Sequence, residues 1–399
     1  MPNIFPEVSL AGFQDPDSPT CGVLEAIASL PSTGGRVHIP AGTYVLRRAI
    51  DLPSRISIVG EGPATVLTVP QVCTGLLTAD RRSGSRSVET LKRLPVKPGW
   101  EIGICDDRQR GWWGTHAIVK RIEKNRISLA SPINRILKTE RKARAVIGFP
   151  LFRGLAQSDV EIRDLTIQGP KGFRGRPLDF TYSAIHFRNC CRLRLLNCTV
   201  SDWPSDGFSV QGGTDAQVLH CQAHGCKGHG FHPGTGLGSS VWSHNIARGC
   251  GGDGLYFCAR VHHTVCSDSV FVENDGNGIG GVGHGGDRHD VISNNVCAHN
   301  GRCGIDANLG AEQVITGNLI LGNSRDATGK WPGIRLHDLH HALVQANRCA
   351  DDAEKPTQKL GIVESGGSDY NLIVSNLCHG MEMPVATVGE HTRAEGNLV

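Results

Sequence analysis

Between residues 183 and 378, apolar and polar positions recur as one phrase repeated eight times. A small residue is followed by an apolar one, then a half-polar strand, then a turn marked by Asn or Cys. The leading apolar positions are Ile185, Phe208, Phe231, Leu255, Ile279, Ile305, Ile334 and Ile362, spaced 23, 23, 24, 24, 26, 29 and 28 residues apart. A turn column holds Cys198, Cys221, Asn245, Ser269, Asn295, Asn318, Asn347 and Asn376. Apolar columns flank it, one three residues before (Leu195, Val218, Trp242 and onward) and one two residues after (Val200, Ala223, Ala247 and onward). A second turn column follows five residues after the first: Cys226, Cys250, Asn274, Asn300, Asn323 and Asp352.

A unit this short cannot bury its own apolar side, but stacked units can, each side chain resting on its equivalent in the next coil. Within a unit, Val-Ile-Ser-Asn-Asn-Val-Cys at 291–297 alternates with period two, the signature of strands. Stacked Asn side chains can satisfy one another and the backbone where the chain bends. The pattern predicts an all-β fold, a single-stranded parallel β-helix, right-handed by the general preference of parallel connections. A leucine-rich horseshoe would need a Leu-x-x-Leu-x-Leu signature, which the repeat lacks.

Composition narrows the picture. With 51 Gly and 5% aromatic residues, the 399-residue chain suits tight turns and small stacked side chains. A net charge of +3 from 41 basic and 38 acidic residues carries no nucleic-acid footprint. The absence of an apolar run of about 18 residues argues against a membrane helix. The first residues lack a basic-then-apolar leader, which favours a cytoplasmic protein; a secreted one would have had its leader removed. The fifteen cysteines fall mostly on core and turn columns and lack paired zinc-ligand spacing. Cys349 and Cys378 share a column, so a disulfide is geometrically open, but free thiols are the reading preferred.

Three regions follow: an N-terminal cap with the first coils (1–70), a β-rich insertion (71–150) and the main β-helix (151–399). Residues 22–30 read as a short amphipathic helix ended by Pro31, suited to covering the open end of a solenoid. Then comes Gly-Gly-Arg-Val-His-Ile-Pro-Ala-Gly-Thr-Tyr-Val-Leu at 34–46, two short strands around a turn. This phrase after a helix, together with the repeats, resembles the pectate-lyase-like right-handed β-helix superfamily. That superfamily includes pectate lyases, polygalacturonases, uronan C5-epimerases and phage tailspikes. The resemblance implies the fold and a carbohydrate, not one reaction. The insertion shows three alternating strands, near 100–105, 116–122 and 126–130. Trp112 and Trp113 precede the second; they offer either a stacking platform for a sugar or packing onto the solenoid. The Gly-, Arg- and Pro-rich loop at 169–180 is expected to overhang the next coil.

Chemistry concentrates beside the leading apolar column. Side chains alternate along a strand, so the neighbours of those apolar residues point outward. That wall carries His186, Asp206, His229, His232, Asp253, Tyr256, Asp306, Arg335 and His337. A mixture of His, Asp, Tyr and Arg is what acid–base chemistry on an acidic sugar needs. The densest part, His229-Gly-Phe-His-Pro-Gly234 with Asp253-Gly254 one coil on, resembles the active-site stretch of mannuronan C5-epimerases, Tyr-Gly-Phe-Asp-Pro-His. Gly230, Phe231 and Pro233 agree with it. His229 stands at that family's catalytic Tyr, His232 at its Asp, Gly234 at its His and Cys258 at its second Asp. What the resemblance implies here is the location of the site.

Three functions fit. The first is a lyase or epimerase of a uronate-containing polysaccharide, with His232 or Tyr256 as base, His229 or Tyr256 as proton donor, and Arg335 or a divalent cation on the carboxylate. The second is a glycoside hydrolase using Asp206 and Asp253, two coil steps or about 9.6 Å apart, near the roughly 6.5–9.5 Å of inverting enzymes. The third is a non-catalytic binding or adhesion solenoid. His229, His232, Asp253 and Tyr256 are the catalytic candidates; His186, Asp206, Asp306, Arg335, His337, Trp112 and Trp113 are the substrate-binding ones. Asp206 and Asp253 also precede Gly, where Asp commonly shapes turns. His262-His263 and His340-His341 fall in turns, and the Gly-rich segment 282–287 could bring His284 and Asp287 over the wall. No metal site or required cofactor is assigned; a divalent cation stays open. The partner implied is a polysaccharide or oligosaccharide, without nucleic acid or membrane.

Overall fold

The computed structural model describes residues 6–108, 114–170, 172–175, 178–351 and 353–399. Strands of successive coils pair in parallel, and the leading apolar residues lie in one unbroken register from Ile185 through Phe208, Phe231, Leu255, Ile279, Ile305 and Ile334 to Ile362. The column beginning at Leu195 runs likewise to Ile373. The column beginning at Val200 runs to Cys378. All these side chains are fully buried, so the periodic positions form one continuous core. Cys349 pairs in register with Cys378, and both are free thiols.

The turns are held from inside. Asn295 donates its backbone N–H to Asn318 Oδ1 at 2.9 Å, Asn318 to Asn347 at 3.0 Å, and Asn347 to Asn376 at 2.9 Å. Each of these side-chain amides also donates back to a carbonyl of the previous coil, Asn318 Nδ2 to Ile292 O at 2.9 Å. The residue before each rung takes a left-handed φ: Asn294 (56°), Gly317 (68°), Ala346 (53°), Ser375 (55°). That kink ends one strand and turns the next side chain inward. A buried polar group without a partner costs about 1–3 kcal/mol, so the ladder lets the chain bend in the core without that cost. The second ladder runs Asn274, Asn300, Asn323, and there the sequence reading is corrected. Its next rung is Gln358, whose Oε1 accepts the Asn323 N–H at 3.1 Å; Asp352 lies outside the described residues. An insertion in the coil pushed the rung six residues along.

At the N-terminus, helix Val23–Ser29 buries Val23 and Ala26 and packs against strand Glu7–Ser9, which pairs with Gly35–His38. Strands Ile56–Val59 and Thr65–Thr68 stack directly on the long strand Ser158–Gln168. Between them the chain leaves the solenoid and forms a six-stranded antiparallel sheet spanning 74–146, with its own core around Val88, Ile102, Ile104, Ile127 and Leu137. Three of its strands, Thr74–Leu76, Ser87–Glu89 and Arg144–Val146, are three residues long, too short for alternation to show in sequence. The sheet abuts the solenoid through Glu101, buried and ion-paired to Arg153 at 2.8 Å, and through His116, whose ring lies 4.5 Å from that of Tyr182.

Candidate active site

Three coils build the site. Asp206 precedes the strand Phe208–Thr214, His229 and His232 flank Phe231 one coil on, and Asp253, Tyr256 and Cys258 lie around Leu255 in the next. Asp206 Oδ1 accepts the His229 N–H at 2.8 Å, and Oδ2 accepts a hydrogen bond from His232 Nδ1 at 2.7 Å. Both side chains are buried, 6% and 7% exposed. Burial disfavours each charge, but the contact outweighs it. Asp206 is held below the usual carboxylate range, and His232 is pushed up to about 9. At neutral pH this is an imidazolium–carboxylate pair. His232 Nε2, on the other edge of the ring, is buried and has no hydrogen-bond partner among the described residues.

His229 is placed differently. The Asp253 N–H donates to its Nδ1 at 2.9 Å, so in the neutral ring the proton sits on Nε2. The ring stacks on Tyr256 with centroids 4.5 Å apart and planes at 12°. The Tyr256 ring centre is 5.3 Å from that of His232. Burial, then the nearby Cys258 and Asp253, push the Tyr256 phenol up, so it keeps its proton. Burial likewise raises Asp253, whose Oδ1 accepts both the backbone and side-chain N–H of Asn277 at 2.6 and 3.0 Å. Gly281, at φ 70°, leaves room for the Tyr256 ring; a methyl group there would meet ring carbon Cε2 at 2.7 Å and run into the Phe257 carbonyl.

The wall is less open than alternation suggested. His186, Asp206, His232, Asp253 and Asp306 are each under 10% exposed. Part of the cover is the overhanging loop expected from the sequence: the Phe180 ring lies 5.8 Å from His186 and 6.0 Å from His232. His186 is thereby buried and, by desolvation, lowered to about 3, a neutral ring beneath Phe180 rather than a substrate contact. His229, Tyr256 and Cys258 remain partly open.

The other candidates make contacts of their own. Arg335 forms a bidentate pair with Asp306 at 2.6 and 2.9 Å, beside the Trp331 ring, so its guanidinium is already committed. His337 is held by Ser365 at 3.0 Å and Asp338 at 3.3 Å. Asp287 does not reach the wall. It is fully buried, with Oδ1 accepting the Val261 N–H at 2.9 Å, whereas His284 lies 6.5 Å from Tyr256, ring to ring. Trp112 and Trp113 lie outside the described residues. Asp206 Oδ1 and Oδ2 are each engaged, by the His229 N–H and by His232 Nδ1. Among the described residues no group of three or more His, Cys, Asp and Glu side chains is arranged to hold a metal ion.

Sequence reasoning gave no role to Phe180 or Asn277, and named Cys258 only as the residue standing at the epimerase family's second Asp. Cys258 was detectable: it stands two residues beyond Tyr256, with the core residue Phe257 between them, and so shares its face. Burial raises this thiol, but the His232 ring and the Thr235 hydroxyl, whose Oγ1 is 3.2 Å from Sγ, pull it down to about 7.

The architecture is that of a right-handed parallel β-helix. Residues 154–283 match the family described as "Right handed beta helix region". The fold is similar to the A-module of the mannuronan C-5 epimerase AlgE6 of Azotobacter vinelandii, at TM-score 0.60 and 15% identity over 98% of both chains. It is also similar to the AlgE4 A-module of the same organism, at TM-score 0.57 and 16% identity over 98% of this chain and 100% of that one. An exopolygalacturonase from Thermotoga maritima aligns at TM-score 0.52 and 14% identity over 100% and 92%. No protein of curated function matches the sequence significantly.

Proposed function

We propose that the protein acts on a uronate-containing polysaccharide and removes the proton beside the carboxylate, as a lyase or epimerase. The observation that carries this reading is the stacked His229–Tyr256 pair backed by the His232 imidazolium. His229 Nε2 and the Tyr256 hydroxyl both hold protons, on side chains that are partly open, and the positive charge beside them is fixed by Asp206. A donor-rich wall of this kind suits a carboxylate that gains charge as its neighbouring proton leaves. The fold's likeness to mannuronan epimerases and a polygalacturonase is consistent with an acidic sugar.

The roles narrow the alternatives read from the sequence. His232, protonated up to about pH 9, is the cation rather than the base. Tyr256 is an acid. Arg335, tied to Asp306, is not the group that quenches the carboxylate. The test is a screen of alginate, pectate and glycosaminoglycans, read by the ultraviolet absorbance of an unsaturated uronate and by solvent-deuterium uptake at the carbon beside the carboxylate. Either signal is the expected result. New reducing ends with neither would replace this reading with hydrolysis.

A further inference from the structure

Resting on that uronate reading, we propose that Cys258 is the base: a thiolate formed beside His232, which Asp206 positions, acting with Tyr256 in a syn elimination.

Four observations converge. Asp206, His232 and Cys258 occupy three successive coils in the order acid, imidazole, thiol. The first contact is 2.7 Å, and the Cys258 N–H donates to the carbonyl of Pro233, the residue after His232, at 2.9 Å. Among the described residues His232 Nε2 is buried and makes no hydrogen bond, and the Cys258 thiol is acted on by this ring. Cys258 is partly open, while the nine cysteines of the solenoid columns at 198, 221, 226, 250, 266, 297, 303, 349 and 378 are buried. Finally, Cys258 lies two residues past Tyr256, just beyond the strand Leu255–Tyr256, with Phe257 in the core between them. The groups facing the thiol are His232 and Thr235 from the preceding coil and Tyr256 two residues before it; Asp206 stands behind His232, and His284 faces Tyr256 from the next coil.

The chemistry follows from the one-sided layout. The thiolate takes the proton from the carbon beside the carboxylate and becomes S–H. The C–H electron pair moves into the carboxylate-stabilised carbanion, whose charge faces His229 Nε2–H and the His232 cation. That pair then forms the carbon–carbon double bond as the bond to the glycosidic oxygen breaks. The leaving oxygen takes the Tyr256 proton. The S–H proton returns to solvent and Tyr256 is reprotonated from it, so nothing is oxidised or reduced. Base and acid on one wall make elimination the balanced outcome, because epimerisation needs a proton delivered from the opposite face of the sugar.

The thiolate pair is tested without any substrate. Iodoacetamide alkylation of the folded protein, followed by mass spectrometry on the Cys258 peptide, is measured against pH. The expected midpoint is near 7. In His232→Gln it rises towards the ordinary thiol value of about 8.5, slowing alkylation at pH 7 about 15-fold. A wild-type midpoint at or above that ordinary value overturns the pairing, and needs no variant that might misfold. The role is tested on a polymer that the wild type cleaves. Cys258→Ala should lose at least about 100-fold in kcat with little change in KM, and unchanged kcat overturns the base assignment. A midpoint near 7 with no unsaturated product from any polyuronate overturns the elimination through its substrate and leaves the thiolate pair standing.

Discussion

Asp206 Oδ2 and His232 Nδ1 lie 2.7 Å apart across a single coil step, though 26 residues separate them in the chain. The pair is the electrostatic anchor of the site, and its pH behaviour is specific. Asp206 is depressed, so its contribution to stability is present above the unfolded value of about 3.9 and fades as pH falls through the folded one. His232 is raised, so its contribution is full below about 6.5 and is lost as pH climbs through about 9. The pair therefore stabilises most between roughly pH 4 and 6.5. Asp206→Asn should cost about 3–5 kcal/mol in that window and less at pH 9, measured by urea unfolding at both pH values. An equal cost at the two would contradict the ion pair.

Asp290 carries the opposite sign. It is fully buried, accepts the Thr264 N–H at 2.9 Å through Oδ1 and, among the described residues, leaves Oδ2 without a partner. Burial pushes it up to about 7. A carboxyl raised on folding favours the folded state less as pH rises above its unfolded value of about 3.9. Asp290→Asn keeps the acceptor and removes the charge. It should raise the melting temperature at pH 8 and leave it unchanged at pH 4, in thermal melts followed by circular dichroism.

Asn318 serves two coils at once, accepting the Asn295 N–H at 2.9 Å and donating to Ile292 O and Asn347 Oδ1, both at 2.9 Å. Asn318→Ala strands a buried amide and a buried carbonyl. With about 1–3 kcal/mol for each group left unpaired, the expected loss is about 2–6 kcal/mol by urea denaturation. Neighbouring rungs Asn295 and Asn347 should give similar values, whereas an exposed polar residue such as Ser239 should be neutral.

Gly281→Ala tests how the Tyr256 ring is seated. The backbone at φ 70° disfavours any side chain, and the added methyl group runs into the Phe257 carbonyl and presses on the Tyr256 ring. The variant should lose about 1–2 kcal/mol of stability and a larger share of turnover, because Tyr256 must shift off His229. Tyrosine fluorescence is masked by the tryptophans, so kcat alongside the melting temperature is the useful pair of measurements.

The register of Ile185 with Phe208 and its successors, and the Asn rungs from 295 to 376, were legible from residue order because a stacked solenoid repeats its neighbours in one dimension. Each column position has the same environment in the coil before and after, so period alone reveals it. That logic failed at Asp352, where a longer coil broke the count and Gln358 took the rung. It failed again in the insertion, whose strands of three residues leave no period to read.

The one-letter order of this chain was enough to specify the stacked core, the turn ladders and the wall on which His229, His232, Asp253 and Tyr256 gather. Their charge states were not in it. Whether His232 is a cation, Tyr256 a phenol or Cys258 a thiolate depends on burial beneath Phe180 and on partners one coil away. Protonation answers to distance and desolvation in three dimensions, and neither quantity is periodic along the sequence.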